Sequence, residues 1–335
     1  MSIKIMGSGL LTTIQDAGRF GYRKEGIIVS GPMDAVALRI ANLLVGNEER
    51  AAALETTFLG PKIYFEADHL LAITGGDLTP MLNGEKVKMW RPIRVSAGSL
   101  LQFSAPKQGS RAYVAISGSF TLPKVLGSYA TFLRANIGGF QGRALQVGDE
   151  LICPGATSVG EQMLQNLAYK PSIGGFGQTS WTIPPRLLPA LQTRSTVRVL
   201  KGPEYAWFTQ ASQEAFWNQE FIVTTDSDRM GYRLQGEPLR LQEPQEMISS
   251  AVAFGTIQVP PEGHPIALLA DHQTTGGYPR IGQVITADFS TLAQVPMGQK
   301  ICFREVTLPE AHFLYIQQEQ QMQAIKQAIG YKVRF

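Results

Sequence analysis

Apolar positions in the first half of the chain fall in short runs. Lys62-Ile63-Tyr64-Phe65, Leu70-Leu71-Ala72-Ile73-Thr74 and Tyr113-Val114-Ala115-Ile116 are bounded by Gly, Pro or Asp, which is the pattern of β-strands. Asn83-Gly84 separates Met81-Leu82 from Glu85-Lys86-Val87 and predicts a two-residue hairpin. One helix interrupts these strands. Asp34 caps it, Val36, Leu38, Ile40, Leu43 and Leu44 form an apolar stripe, and Gly46-Asn47 ends it. The stripe predicts that this helix plugs or covers a barrel.

The pattern weakens over residues 172–195, where Gly174-Gly175-Phe176-Gly177 and Pro184-Pro185 predict a linker. Strands are expected at Thr196-Val197-Arg198-Val199-Leu200 and over 251–259, 265–270 and 282–287, with a helix over 205–217. Thr307-Leu308-Pro309-Glu310 reads as a capping box with proline in the first turn. A Gln-rich helix follows, to Gly330. Its narrow stripe (Phe313, Leu314, Ile316, Met322, Ile325, Ile329) predicts surface packing. The expected fold is mainly β: two β-barrel-type domains with short helices, one over residues 1–190 and one over 191–335. Strands separated by turns rather than by regular helices argue against a doubly wound sheet.

A chain of 335 residues can fill two such cores. The net charge of +3, with no basic run, points to neither nucleic acid nor a membrane surface. Cys153 and Cys302 lie among apolar residues and read as buried thiols in a reducing compartment, not as metal ligands. No secretory signal pattern or bilayer-length apolar stretch is seen, so a cytoplasmic location is expected.

One local pattern occurs twice. Thr12-Thr13-Ile14-Gln15-Asp16 leads into Arg19-Phe20-Gly21-Tyr22-Arg23, and Thr224-Thr225-Asp226-Ser227-Asp228 leads into Arg229-Met230-Gly231-Tyr232-Arg233. The repeat suggests two related halves. It also makes Arg19 and Arg229 candidates for holding a carboxylate or phosphate, with Tyr22 and Tyr232 beside them. The alternative is that each Arg pairs with its own neighbouring acid, Asp16 or Asp228, and pins a loop.

The segment richest in chemistry is Asp271-His272-Gln273-Thr274-Thr275-Gly276-Gly277-Tyr278-Pro279, which follows an apolar strand. Asp271 and His272 suit proton transfer, and Gln273, Thr274, Thr275 and backbone N–H groups near Gly276 suit a polar ligand, with Tyr278 alongside. The alternative is a tight hairpin that satisfies its own backbone. Ser30-Gly31-Pro32-Met33-Asp34 turns into the first helix and offers either an anion site or a capped turn. Glu55, inside an apolar strand, must face solvent, a partner charge or a site. The glycine-rich turns at Ile73-Thr74-Gly75-Gly76-Asp77 and over 136–143 lack the Lys-Ser/Thr ending of a phosphate-binding loop. No zinc spacing or nucleophile elbow is present, and no segment of the kind that carries covalently attached biotin.

These residues carry a family resemblance. Gly9 to Arg19, Ser30 to Asp34, Ala41 to Asn47, Leu54 to Pro61, Ile73 to Asp77, Ser227 to Leu234, Ile257 to Pro260 and Asp271 to Pro279 resemble the family of the 5-oxoprolinase C subunit (PxpC/KipA). That family is also described as biotin-dependent carboxyltransferase-like, or allophanate hydrolase subunit 2. The resemblance implies cyclophilin-like β-barrel architecture and a heteromeric complex with a KipI-like B subunit and a LamB/YcsF-like A subunit. It implies conversion of 5-oxo-L-proline to L-glutamate with ATP hydrolysis by the complex. It also implies two alternatives: an antagonist of KipI, which inhibits a histidine kinase, and the carboxyltransferase component of a urea carboxylase/allophanate system. In the first reading, Asp271, His272 and Gln273 are the candidate catalytic residues. Arg19, Tyr22, Ser30, Glu55, Arg229, Tyr232, Thr274, Thr275, Gly276 and Tyr278 are the candidate substrate contacts.

Overall fold

Alternation along the strands decides how the chain layers. A computed structural model describes residues 1–168, 175–188 and 194–334. Contacts divide it into two units that are not consecutive along the chain: Met1–Arg19, Asp34–Pro189 and Gln320–Phe335 in the first, Phe20–Met33 and Ala190–Glu319 in the second.

The first unit packs two six-stranded antiparallel sheets face to face. Ile3, Ile5, Ile63, Phe65 and Leu101 of one sheet meet Leu71, Ile73, Ile93, Val114 and Ile116 of the other. Strand Lys62–Phe65 lies in the first sheet and alternates exposed and buried residues, because its outer face meets water. Strands His69–Asp77 and Gln108–Ile116 lie in the second and are buried nearly throughout. Their opposite face, Leu70, Ala72, Tyr113 and Ala115, lies under helix Ala35–Leu44. The expected helix is therefore a sheet cover. Asp34 caps it by accepting from the Ala37 N–H at 3.0 Å. A second helix, Ser158–Ala168, joins this layer through Met163 and Leu167. The Asn83-Gly84 hairpin is present, both residues with positive φ, between paired strands Pro80–Leu82 and Glu85–Lys86.

The second unit closes a seven-stranded barrel around Val197, Val199, Phe216, Phe221, Tyr232, Ile257 and Ile301. Its strands include Arg194–Lys201, Gly231–Gln235, Thr256–Gln258, Ile266–Leu268 and Arg280–Val284. The expected helix over 205–217 is a short 3-10 turn, Tyr205–Trp207, followed by helix Gln210–Asn218, which Thr209 caps. Helix Leu308–Arg334 gives Ala311 to the second unit's surface cluster, and Met322, Ile325, Ile329 and Val333 to the first unit's core.

Residues 172–174 and 189–193 of the linker expected over 172–195 lie outside the described residues. Within it, Phe176–Gln178 forms an edge strand against Pro92–Val95. Cys153 is buried and Cys302 half-buried, both as free thiols. Burial pushes the Cys153 thiol up to about 12, so it stays protonated at neutral pH. Among the described residues no group of side chains is arranged to hold a metal ion, and no helix is long and apolar enough to cross a membrane.

Candidate functional site

Antiparallel pairing of strands Gly231–Gln235 and Ile266–Leu268 places the residues before the first beside the residues after the second. The ladder continues past both ends: the Leu269 N–H donates to the Met230 carbonyl, and the Asp271 N–H to the Arg229 carbonyl at 2.8 Å. Arg229 and Asp271, forty-two positions apart, thus become neighbours at one rim of the barrel. Arg229 Nε donates to Asp271 Oδ2 at 2.9 Å and Nη2 to Oδ1 at 3.3 Å. Nη2 also donates to the Gly31 carbonyl at 2.5 Å, and Ser30 Oγ donates to Asp271 Oδ1 at 2.6 Å. Ser30, with φ of 54°, precedes Gly31 at 88°; two successive left-handed residues turn this hydroxyl and this carbonyl onto the pair. All three side chains are buried. A buried ion pair is tolerable when its remaining donors and acceptors are satisfied, as here.

His272 follows directly. Burial, reinforced by the charge of Arg23, pushes its imidazole below the ordinary value of 6.5, so it is neutral at pH 7. Its Nδ1 lies 2.6 Å from the Gln273 carbonyl, which can only accept. The proton therefore sits on Nδ1, and Nε2 keeps a lone pair able to take a proton. Gln273, Thr275 and Tyr278 are exposed. The loop is not a self-contained hairpin: Thr275–Gly276 pairs with Ser250–Ala251, and the Val252 N–H donates to the Thr274 carbonyl. A Cβ on Gly276 would sit 2.5 Å from Gln258 Nε2 and would displace that side chain. The chemistry available is a neutral base and an exposed amide on a loop fixed by a buried ion pair.

Comparison with known proteins places the chain in a family. A sequence profile described as carboxyltransferase domain, subdomain A and B, matches residues 25–305. The chain belongs to this carboxyltransferase-domain family. It is 40% identical to the C subunit of 5-oxoprolinase from Haemophilus influenzae, over 96% of both chains. It is also 40% identical to the protein of the same name in Escherichia coli, over 95% of both. Its structure matches the crystal structure of the Kluyveromyces lactis urea carboxylase with a TM-score of 0.86 at 28% identity. That match covers 97% of this chain but 29% of the urea carboxylase chain.

In this family member the other expected contacts are placed differently. Arg19 belongs to the first unit and is fully buried; Nε donates to the Val125 carbonyl at 3.0 Å and Nη2 to the Ala130 carbonyl at 2.8 Å. Its guanidinium fastens a loop of that unit. The acids expected to pin the two Arg loops accept from other donors. Asp16 accepts from Gly18 N–H, Ser128 Oγ and Tyr129 N–H, and Asp228 from Met230 N–H. Tyr232 is buried in the barrel, where its hydroxyl donates to the Ala293 or Val295 carbonyl. Tyr22 caps a 3-10 turn, Arg23–Glu25, in the second unit.

Glu55 does not face solvent and belongs to the first unit, as Arg19 does. It lies opposite Tyr113, whose hydroxyl donates to Oε2 at 2.6 Å and accepts the Asp34 N–H at 2.8 Å. Burial, with Glu55 and Asp34 nearby, pushes the Tyr113 hydroxyl well above its ordinary value. At the start of the first helix the Tyr113 hydroxyl accepts the Asp34 N–H and the Asp34 carboxylate accepts the Ala37 N–H.

Arg23 also acts on the His272 loop, though the sequence reading does not name it among the candidates. Nη2 donates to the Val252 carbonyl, and its charge reaches His272. The one signal for it is register: Arg23 and Arg233 close the two copies of the repeat.

Proposed function

We propose that this chain is the C subunit of an ATP-dependent 5-oxoprolinase. It works in a complex with a KipI-like B subunit and a LamB/YcsF-like A subunit, which opens 5-oxo-L-proline to L-glutamate. The observation that carries the reading is near full-length identity, 40% over 96% of both chains, with a protein named as the C subunit of 5-oxoprolinase. The reaction adds water across the lactam C–N bond: the carbonyl carbon becomes the side-chain carboxylate and the ring nitrogen the amine. His272 Nε2 suits the proton that water must lose, and the exposed Gln273 amide suits the lactam carbonyl. Arg229 is committed to Asp271, so the substrate carboxylate falls to the exposed Arg23.

ATP is a substrate of the complex, and this chain's glycine-rich turns do not fit its phosphates. Gly75 and Gly76 lie within strand His69–Asp77. A Cβ on Gly138 would sit 2.7 Å from Arg19 Nη2, and one on Gly139 1.9 Å from Thr131 Oγ1, so protein atoms already fill that turn. No step through ATP is assigned to these residues.

A second reading rests on the structural match to urea carboxylase: a carboxyl-transfer component. The two separate by experiment. In a complex reconstituted with the A and B subunits, His272→Gln is expected to lower the turnover of 5-oxoproline at least about a hundredfold and Gln273→Ala about tenfold to a hundredfold. Near-normal turnover in both variants contradicts the assigned roles. Carboxylation of urea by this chain with a biotin carboxylase and carrier supports the second reading.

A further inference from the structure

The 5-oxoproline reading places its residues in the second unit and leaves unused a cavity of about 440 Å³ built from the first. That volume lies within the range of small-molecule sites. Its floor uses stretches that the sequence singled out but the proposed reaction does not employ, the Asp16–Gly18 turn and the end of the first helix at Asn47.

The walls are tightly fixed. Asn47 Nδ2 donates to the Ile116 carbonyl at 2.8 Å, while Oδ1 accepts the Gly118 N–H at 2.8 Å. A Cβ on Gly46 would sit 2.7 Å from Val159, on Gly118 2.2 Å from the Gly155 carbonyl, and on Gly160 1.9 Å from Ser117 Oγ. Only glycines let the segment around Thr157 close against these two turns. The Asp16 carboxylate is spent on three donors, so it shapes the wall. Two cationic side chains, Arg50 and Lys124, border the space and are exposed. Lys124 Nζ lies 5.2 Å from the centre of the Tyr129 ring, and Phe120 adds a second aromatic wall. Glu48, exposed on the same loop as Arg50, supplies an acceptor.

We propose that this cavity binds a small organic anion, its carboxylate or phosphate paired by Lys124 and Arg50 and its remainder held against Tyr129 and Phe120. A cation–aromatic–cation border favours an anionic group on a compact body. Glu48, on the same loop as Arg50, also admits an ammonium on the same molecule. Its lining residues differ from those assigned to 5-oxoproline, and the proposal stands or falls without that reading.

Titration calorimetry on the full chain tests the proposal with three probes: inorganic phosphate, succinate and L-glutamate. At least one is expected to bind at a single site, with affinity falling as salt rises. Preference for phosphate, for the plain dicarboxylate or for the amino acid then identifies which anion the site takes. Lys124→Glu reverses a border charge and Ala51→Trp fills the cavity without removing a charge; each is expected to weaken binding at least about tenfold while melting close to the parent. Lys86→Glu, an exposed reversal in the Asn83-Gly84 hairpin, is expected to leave the affinity unchanged. Absence of binding by all three probes overturns the proposal. So does binding unaltered in both cavity variants, or lost equally in Lys86→Glu.

Discussion

At the scale of single residues, stability turns on the buried pair of Asp271 and Arg229. Arg229→Ala strips a buried carboxylate of its ionic partner and is expected to cost about 3–5 kcal/mol in denaturant unfolding. Tyr113→Phe removes a buried hydroxyl that joins Glu55 to the first helix, and is expected to cost about 1–3 kcal/mol. Two histidines set a pH dependence. Burial holds both His272 and His69 below the ordinary value of 6.5. The unfolded chain takes up these protons near 6.5, and the folded chain only at lower pH. Their contribution to stability is therefore present above about pH 6.5 and is lost on acidification. The melting temperature should fall between pH 7 and pH 5, and His272→Gln and His69→Gln should each flatten part of that slope. A slope unchanged in both variants contradicts the assignment.

At the scale of elements, the strands were legible wherever burial differs between faces or turn chemistry is local. Ile63 and Phe65 alternate with exposed Lys62 and Tyr64, and Asn83-Gly84 signals its hairpin directly. Helix Ser158–Ala168 is not among the expected elements, although Val159, Met163, Leu164 and Leu167 fall at helical spacing and Thr157 caps it by accepting the Gly160 N–H. Glu55 was illegible because its partner Tyr113 stands fifty-eight positions away, and only strand register brings the two together. The repeated Arg-x-Gly-Tyr-Arg pattern is real in sequence but divergent in use. Arg19 binds carbonyls, whereas Arg229 binds a carboxylate that lies in a different loop. Gly138 belongs to the first of these arrangements. With φ of 72° and a Cβ position 2.0 Å from the Ala130 carbonyl, Gly138→Ala is expected to lower stability by at least about 2 kcal/mol.

At the scale of the whole molecule, the chain does not divide at one point. Residues 20–33 join the second unit and residues 320–335 the first, a path that no local pattern announces. The C-terminal helix reads as surface-packed from its narrow stripe, yet Met322, Ile325, Ile329 and Val333 are buried in the first unit's core. Truncation after Glu319 removes about 1.5–3 kcal/mol of burial for each large side chain. It is expected to lower the melting temperature sharply and to raise binding of a hydrophobic dye. The membership of the carboxyltransferase-domain family and the 40% identity to 5-oxoprolinase C subunits together support a role within an enzyme complex. The direct test is add-back: the proposed KipI-like and LamB/YcsF-like partners are assayed for ATP-dependent release of L-glutamate from 5-oxo-L-proline, first alone and then with this chain restored. Release that depends on the added chain is the predicted result; release at the same rate without it contradicts the account.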